Sequence, residues 1–203
     1  MEIDEAAGTF LVTTARKTVE GLFTNGHLVS PPREYPHIFD TNAGVFVTIN
    51  KANGAEKELR GCIGFPYPDT PLIEALVRAA AASATEDPRF PPVSKEELPK
   101  VVFEVSVLTP PEQINVASPR ELPQKIKVGY DGLIVRWAYG SGLLLPQVPM
   151  EYGWDAEEFL GNACMKAGAT PDIWLVPSTR VYRFNAIVFE EAEPRGKVVR
   201  KLA

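Results

Sequence analysis

Apolar positions recur with two different periods along the chain, and each period predicts its own kind of element. From Asp4 to Asn25, residues Ala6, Phe10, Leu11, Ala15, Val19, Leu22 and Phe23 return at helical spacing. Asn25-Gly26 stops that helix. Pro31-Pro32-Arg33-Glu34-Tyr35-Pro36 then reads as a stiff extended connector. Gly44 to Asn50 alternates instead, with Val45, Val47 and Ile49 on one face. Asn53-Gly54 turns the chain into a return strand from Lys57 to Phe65. A second helix follows, with Thr70 as N-cap, Pro71 at its first position, and Leu72, Ile73, Leu76, Val77 and Ala80 as its buried stripe. Ser94 and Glu97 have the spacing of a capping box before a short helix. Val101 to Leu108 alternates again, with Val101, Phe103, Val105 and Val107 on one face and Glu104 on the other.

Further on, Ser118-Pro119 with Glu121 opens another short helix. Lys127 to Trp137 reads as a strand with a bend at Gly129 to Gly132. Gly140-Ser141-Gly142 is expected to turn into Leu143-Leu144-Leu145. Asp155 and Glu158 cap a helix bearing Phe159, Leu160, Ala163, Cys164 and Ala167, closed by Gly168. Val181 to Glu190 predicts one last strand, and the tail from Glu191 to Ala203 is expected to fray. Strands and helices do not alternate as crossover units do. The expected class is therefore α+β, antiparallel sheets with helices packed on them.

Composition narrows this picture. The chain has 203 residues, 45% hydrophobic and 23% charged, which suits one large globular domain or two small ones. The net charge of −5 argues against general nucleic-acid binding. The start, Met1-Glu2-Ile3-Asp4-Glu5, lacks the basic and apolar regions of a signal peptide. No run approaches the ~20 apolar residues of a membrane span, so no membrane association and a cytoplasmic location are expected. Two cysteines, Cys62 and Cys164, and two histidines, His27 and His37, show no zinc-like spacing, so no metal site is expected and no cofactor is indicated. A Cys-His dyad would need His27 or His37 to fold back onto Cys62. Glycine-rich nucleotide loops and a Gly-x-Ser-x-Gly elbow are missing from the sequence.

The chemistry concentrates in Leu59-Arg60-Gly61-Cys62-Ile63-Gly64. Alternation would put Arg60 and Cys62 on one strand face, where a fixed guanidinium favours the thiolate. Gly61 and Gly64 would let a ligand approach the backbone. The bland alternative is a small buried cysteine beside a bulge glycine. In Asp87-Pro88-Arg89-Phe90 the prolines hold an acid and a base in a stiff loop. Either Arg89 clamps an anion, oriented by Asp87, or the two make an internal ion pair with Phe90 as anchor. Glu104 is a general-base candidate or a solvated residue on a wet sheet face. Gln147, between Pro146 and Pro149 after an apolar run, either pins a loop or reads a ligand if buried. Lys166 suits the C-terminal end of its helix. Cys164 reads as core, and Trp137, Trp154 and Trp174 as packing anchors.

Taken in order, Gly44 to Thr48, Leu59 to Gly64, Asp87 to Pro91, Leu144 to Val148, Lys166-Ala167-Gly168 and Trp174 resemble the AMMECR domain family. The likeness runs from about Phe10 to Glu190, with Ala169 as a small departure from the expected Leu. It implies one domain of two interleaved subdomains, each on an antiparallel sheet flanked by helices, with the signature at a cleft between them. It also implies company with Memo-type and radical-SAM proteins in a modification pathway. Two readings follow. In an enzyme or enzyme subunit, Cys62 would be the nucleophile, Arg60 would hold the thiolate, and Asp87 or Glu104 would move protons. Gly61, Gly64, Arg89, Gln147 and Lys166 would complete the ligand-binding set. In a binding module, the same residues would present a metabolite, peptide or nucleotide to a partner without chemistry.

Overall fold

The computed structural model describes residues 3–26, 30–53 and 56–201. His27 and the glycine of the predicted Asn53-Gly54 turn lie outside them. In chain order the elements are α1 (Glu5–Asn25), β1 (Val45–Asn53), β2 (Glu56–Phe65), α2 (Leu72–Thr85), β3 (Val101–Leu108), β4 (Glu112–Gln113) and α3 (Leu122–Lys125). Then come β5 (Gly132–Trp137), β6 (Gly140–Leu144), α4 (Val148–Tyr152), α5 (Ala156–Lys166), β7 (Arg180–Phe184), β8 (Ala186–Glu191) and β9 (Val198–Lys201). The chain forms two compact units, Met1–Leu108 with Ile187–Leu202, and Thr109–Ala186. Each has an antiparallel sheet and helices, the expected α+β class.

The first unit is built on a five-stranded sheet in the order β2-β1-β3-β8-β9. Val45, Val47 and Ile49 of β1 and Val101, Phe103, Val105 and Val107 of β3 lie on one face, as their alternation predicts. They are sealed under Leu11, Ala15 and Val19 of α1 and Leu72, Ile73, Leu76 and Ala80 of α2. Asp4 caps α1 by accepting the Ala7 N–H at 2.7 Å, and Gly26 ends it at φ 72°, where a side chain would be strained. α2 begins one residue later than its sequence suggests. Pro71 takes the cap position and Thr70 makes no capping bond, because the Leu72 N–H is already satisfied by the Thr41 carbonyl.

Arg16 comes from the buried side of α1 and ties three segments together. Its guanidinium bonds Glu191 of β8 (Nε to Oε1, 2.6 Å) and the carbonyls of Leu98 and Val101. Glu191 in turn accepts the Phe103 N–H at 3.0 Å. Every charged atom in this buried pair has a partner, which is the condition for tolerating it. Up to Lys201, the described part of the tail expected to fray is paired instead. Glu191 closes β8, Val198–Lys201 pair with β8 as β9, and Lys201 reaches Glu104 at 2.9 Å.

The second unit is a four-stranded sheet in the order β4-β7-β5-β6, with α5 on one face. Leu133, Val135 and Val181 meet Phe159, Leu160, Ala163 and Cys164 there, so Cys164 is core as its position predicts. Asp155 and Glu158 complete the capping box of α5. Trp174 is buried, and the Trp137 indole donates to the Ala167 carbonyl at 2.9 Å. Gly140 and Gly142 do not form the turn. They lie in β6, where a side chain would strike the Ala167 and Ala163 backbone at the end of α5. Residues 127–131 are a turn rather than strand, held by the Lys127 N–H donating to Asp131 at 2.8 Å.

The predicted last strand is two strands in two sheets. β7 belongs to the second unit's sheet and β8 to the first unit's. The change occurs at Asn185, whose carbonyl accepts the Thr109 N–H, whose N–H donates to the Thr109 hydroxyl, and whose side-chain amide donates to the Tyr130 carbonyl at 2.9 Å.

Candidate functional site

The signature block occupies β2 at the edge of the five-stranded sheet. Counting back from Asn53↔Glu56, an even ladder would set Ile49 opposite Arg60 and Thr48 opposite Gly61. The ladder instead slips one residue between Asn50 and Ile49, so the pairs become Ile49↔Gly61 and Thr48↔Cys62. Arg60 is the extra residue of this bulge. The slip decides where each side chain ends.

The expected partnership of Arg60 with Cys62 is replaced. The buried Arg60 guanidinium donates to Glu97 (2.8 and 3.1 Å) and to the carbonyls of Pro91 (2.8 Å) and Pro92 (3.2 Å). Lys51 of β1 adds a weaker contact to the same carboxylate at 3.6 Å. Arg60 and the Ser94 N–H hold Glu97 down to a pKa of about 2. Half of the predicted capping box forms in this way, from Glu97 to the Ser94 N–H, but the segment that follows is a single 3-10 turn, Leu98–Lys100. Arg60 thus fastens the β2 bulge to the segment after α2.

The signature glycines are explained by packing. A side chain at Gly61 would strike the Ser83 carbonyl of α2, and one at Gly64 would strike the Phe46 ring directly across the hairpin. Gly61 therefore lets helix and strand touch, and the Phe46 ring fills the space over Gly64. Ser83, also buried, joins the strands at this point. Its hydroxyl accepts the Ile63 N–H at 2.9 Å and lies 2.7 Å from the Val47 carbonyl.

Cys62 faces Thr48, away from the helices. Its backbone N–H and C=O point outward from the sheet edge, where Asp87 and Arg89 meet them. Asp87 accepts the Cys62 N–H at 2.8 Å, and Arg89 donates to the Cys62 carbonyl at 3.4 Å. A carboxylate and a guanidinium here take the place of a neighbouring strand and close the edge. The two also bind each other, Nε to Oδ1 at 3.0 Å and Nη2 to Oδ2 at 2.7 Å. Arg89 lies over the Phe90 ring at 5.4 Å. The internal ion pair with its aromatic anchor is the arrangement found. The Arg89 hydrogen bonds hold the Asp87 carboxyl well below the usual carboxylate range, with help from the Cys62 N–H against its burial.

Because the Cys62 backbone bonds outward, Thr48↔Cys62 is a non-hydrogen-bonded pair with close side chains. The Thr48 hydroxyl donates to the sulfur at 3.3 Å. Burial pushes the thiol pKa up. The Thr48 hydrogen bond and the Arg89 charge pull it down, while Glu104 and Asp87 push it further up, and the net shift is upward. Glu104, opposite Thr48 on β3, is half-buried and paired with Lys201. Burial works against the Lys201 charge, but its bond to Glu104 and the nearby Glu190 outweigh this and raise its pKa. Glu190 is shared with Lys57 at 2.8 Å.

The structure thus brings Cys62, Asp87, Arg89 and Glu104 together and binds Arg60 elsewhere. Thr48, Ser83, Glu97 and Lys201 join the site without having been singled out for it. His37 is fully exposed and contacts Asp40. Gln147 and Lys166 belong to the second unit and are both exposed, so Gln147 needs no buried partner and Lys166 sits in the last turn of α5. Among the described residues no group of three or more His, Cys, Asp or Glu is placed to hold a metal ion, and no helix is long and apolar enough to cross a membrane.

A protein from Thermococcus gammatolerans is 56% identical over 200 residues, covering 98% of this chain and 97% of that one. Protein MJ0810 of Methanocaldococcus jannaschii is 52% identical over 194 residues, covering 96% and 94%. The crystal structure of protein PH0010 from Pyrococcus horikoshii matches the whole of both chains with a TM-score of 0.86 at 52% identity. The AMMECR1 family model matches residues 12–189, a span that holds the signature block and every strand from β1 to β7. The chain belongs to the AMMECR1 family.

Proposed function

We propose that this protein is a non-catalytic binding module, holding a ligand or a partner's segment against the half-buried sheet face around Cys62, Thr48 and Glu104. The observation that carries this reading is the state of the thiol. Its pKa lies above that of an ordinary cysteine, and the guanidinium expected to lower it is bonded to Glu97. A nucleophilic cysteine needs the opposite environment. Neither proton carrier is free to serve. Asp87 stays ionised under Arg89, and Glu104 is held by Lys201. The Memo-type and radical-SAM proteins implied by the family resemblance are the partners to test first.

The test combines alkylation with co-purification. Iodoacetamide should modify Cys62 only as the pH rises past that of free cysteine, about 8.5. Cys164, buried and pushed up to about 11, serves as the internal control. Cys62→Ser should still co-purify with a co-expressed Memo-type protein. Rapid alkylation that is already level at pH 6–7 would restore the enzyme reading. Failure of the unaltered chain to co-purify with either partner would also overturn the proposal.

A further inference from the structure

The second unit carries two guanidiniums that its own fold leaves unexplained. The β5–β7 register sets Arg136 directly opposite Arg180. Like charges facing each other across a ladder repel. Both side chains are exposed, and among the described residues neither has an acidic partner. Arg183, on the opposite face of β7, does have one in Glu112 at 3.1 Å. Arg136 lies 5.2 Å over the Tyr182 ring, which fixes the plane of its fork. Tyr182 and Arg180 are two apart on β7, so all three share one face, opposite the Leu133, Val135 and Val181 face that packs on α5.

We propose that Arg136 and Arg180 form a binding site for the phosphoryl group of a small phosphorylated ligand. A carboxylate carries one charge and fills one guanidinium fork. Two guanidinium forks carried by directly opposed residues can match a dianion with three acceptor oxygens. Both arginines stand on paired strands, which hold a site more closely than a loop would. The ligand removes the repulsion that the empty pair sustains. The acidic balance of the chain favours a small ligand over a nucleic-acid strand. This site is independent of the Cys62 region and stands or falls separately.

The test is titration of the full chain with inorganic pyrophosphate at fixed ionic strength, by calorimetry and thermal shift. Saturable binding is expected. Arg136→Ala or Arg180→Ala should weaken it about tenfold or more, while Lys125→Ala, an exposed cation of the same unit, should leave it unchanged. Without pyrophosphate, Arg180→Ala should melt at or above the wild-type temperature, because a repulsion has been removed. Three results would overturn the proposal: equal binding by wild type and variants, acetate competing as well as pyrophosphate, or a short oligothymidylate binding more tightly than pyrophosphate.

Discussion

Arg16, Arg60, Asp87 and Glu191 are all buried in the first unit, and each is bonded to a charged partner. Of its Asp, Glu, Lys and Arg residues, the second unit buries only Asp131 among those described. Apolar side chains divide the other way. Seven of the eight exposed large ones described belong to the second unit, including Tyr139, Met150, Tyr152, Met165 and Leu175, and Val199 is the first unit's single case. Buried ion pairs contribute little net stability when intact but are costly to break, so they act chiefly as geometric constraints. Exposed apolar groups can be changed at little cost to the fold. The first unit therefore holds the Cys62 region with buried charge pairs, and the second leaves more of its large apolar side chains exposed.

The strongest way to break this contrast is to remove one member of a buried pair. Arg16→Ala should lower the stability of the chain by about 3–5 kcal/mol in urea unfolding, since it leaves the Glu191 carboxylate buried and unpaired. Arg16→Met combined with Glu191→Leu should recover most of that loss. Equal losses in the single and double variants would mean that the pair contributes attraction rather than constraint.

A smaller effect is expected from Glu97. Its folded pKa of about 2 lies below the ordinary glutamate value. Its contribution is therefore present above about pH 4.3 and lost as the pH falls through the folded value. The amount is on the order of 2–3 kcal/mol. Glu97→Gln should flatten the stability curve between pH 4.5 and pH 2 and lower its neutral plateau. An unchanged acid limb would show that Arg60 does not depend on this carboxylate.

The smallest effect belongs to the second unit. Leu175→Ser should change stability by less than about 0.5 kcal/mol. A loss above about 1 kcal/mol would place Leu175 in the core and blur the contrast between the units.

Much of the fold was legible in the sequence because its signals are local. The α1 periodicity, the β3 alternation and the Asp155–Glu158 box each lie within a few residues of what they specify. Non-local features were not legible. VYRFNAIVFE reads as one unbroken strand because nothing in it declares that Asn185 is claimed by Thr109 and Tyr130. β9 is short and rich in Lys and Arg, so it resembles a loose tail until Glu104 is seen opposite Lys201. The site divides in the same way. Asp87-Pro88-Arg89-Phe90 closes on itself and was readable as an ion pair. The Arg60–Cys62 alignment failed because a one-residue slip leaves only a nearby glycine as its trace, and a strand glycine has several causes.

The crossing at Asn185 has a consequence for synthesis. β8 is the hydrogen-bonded neighbour of β3, yet all of residues 109–185 lie between them in the chain. On the ribosome, β3 must wait with one edge unpaired while that entire stretch emerges. Distant pairings of this kind are slow to form. A chain halted before residue 187 has no β8 or β9 to complete the first sheet, nor Glu191 to meet Arg16. Such a truncated product would be the species most prone to aggregate.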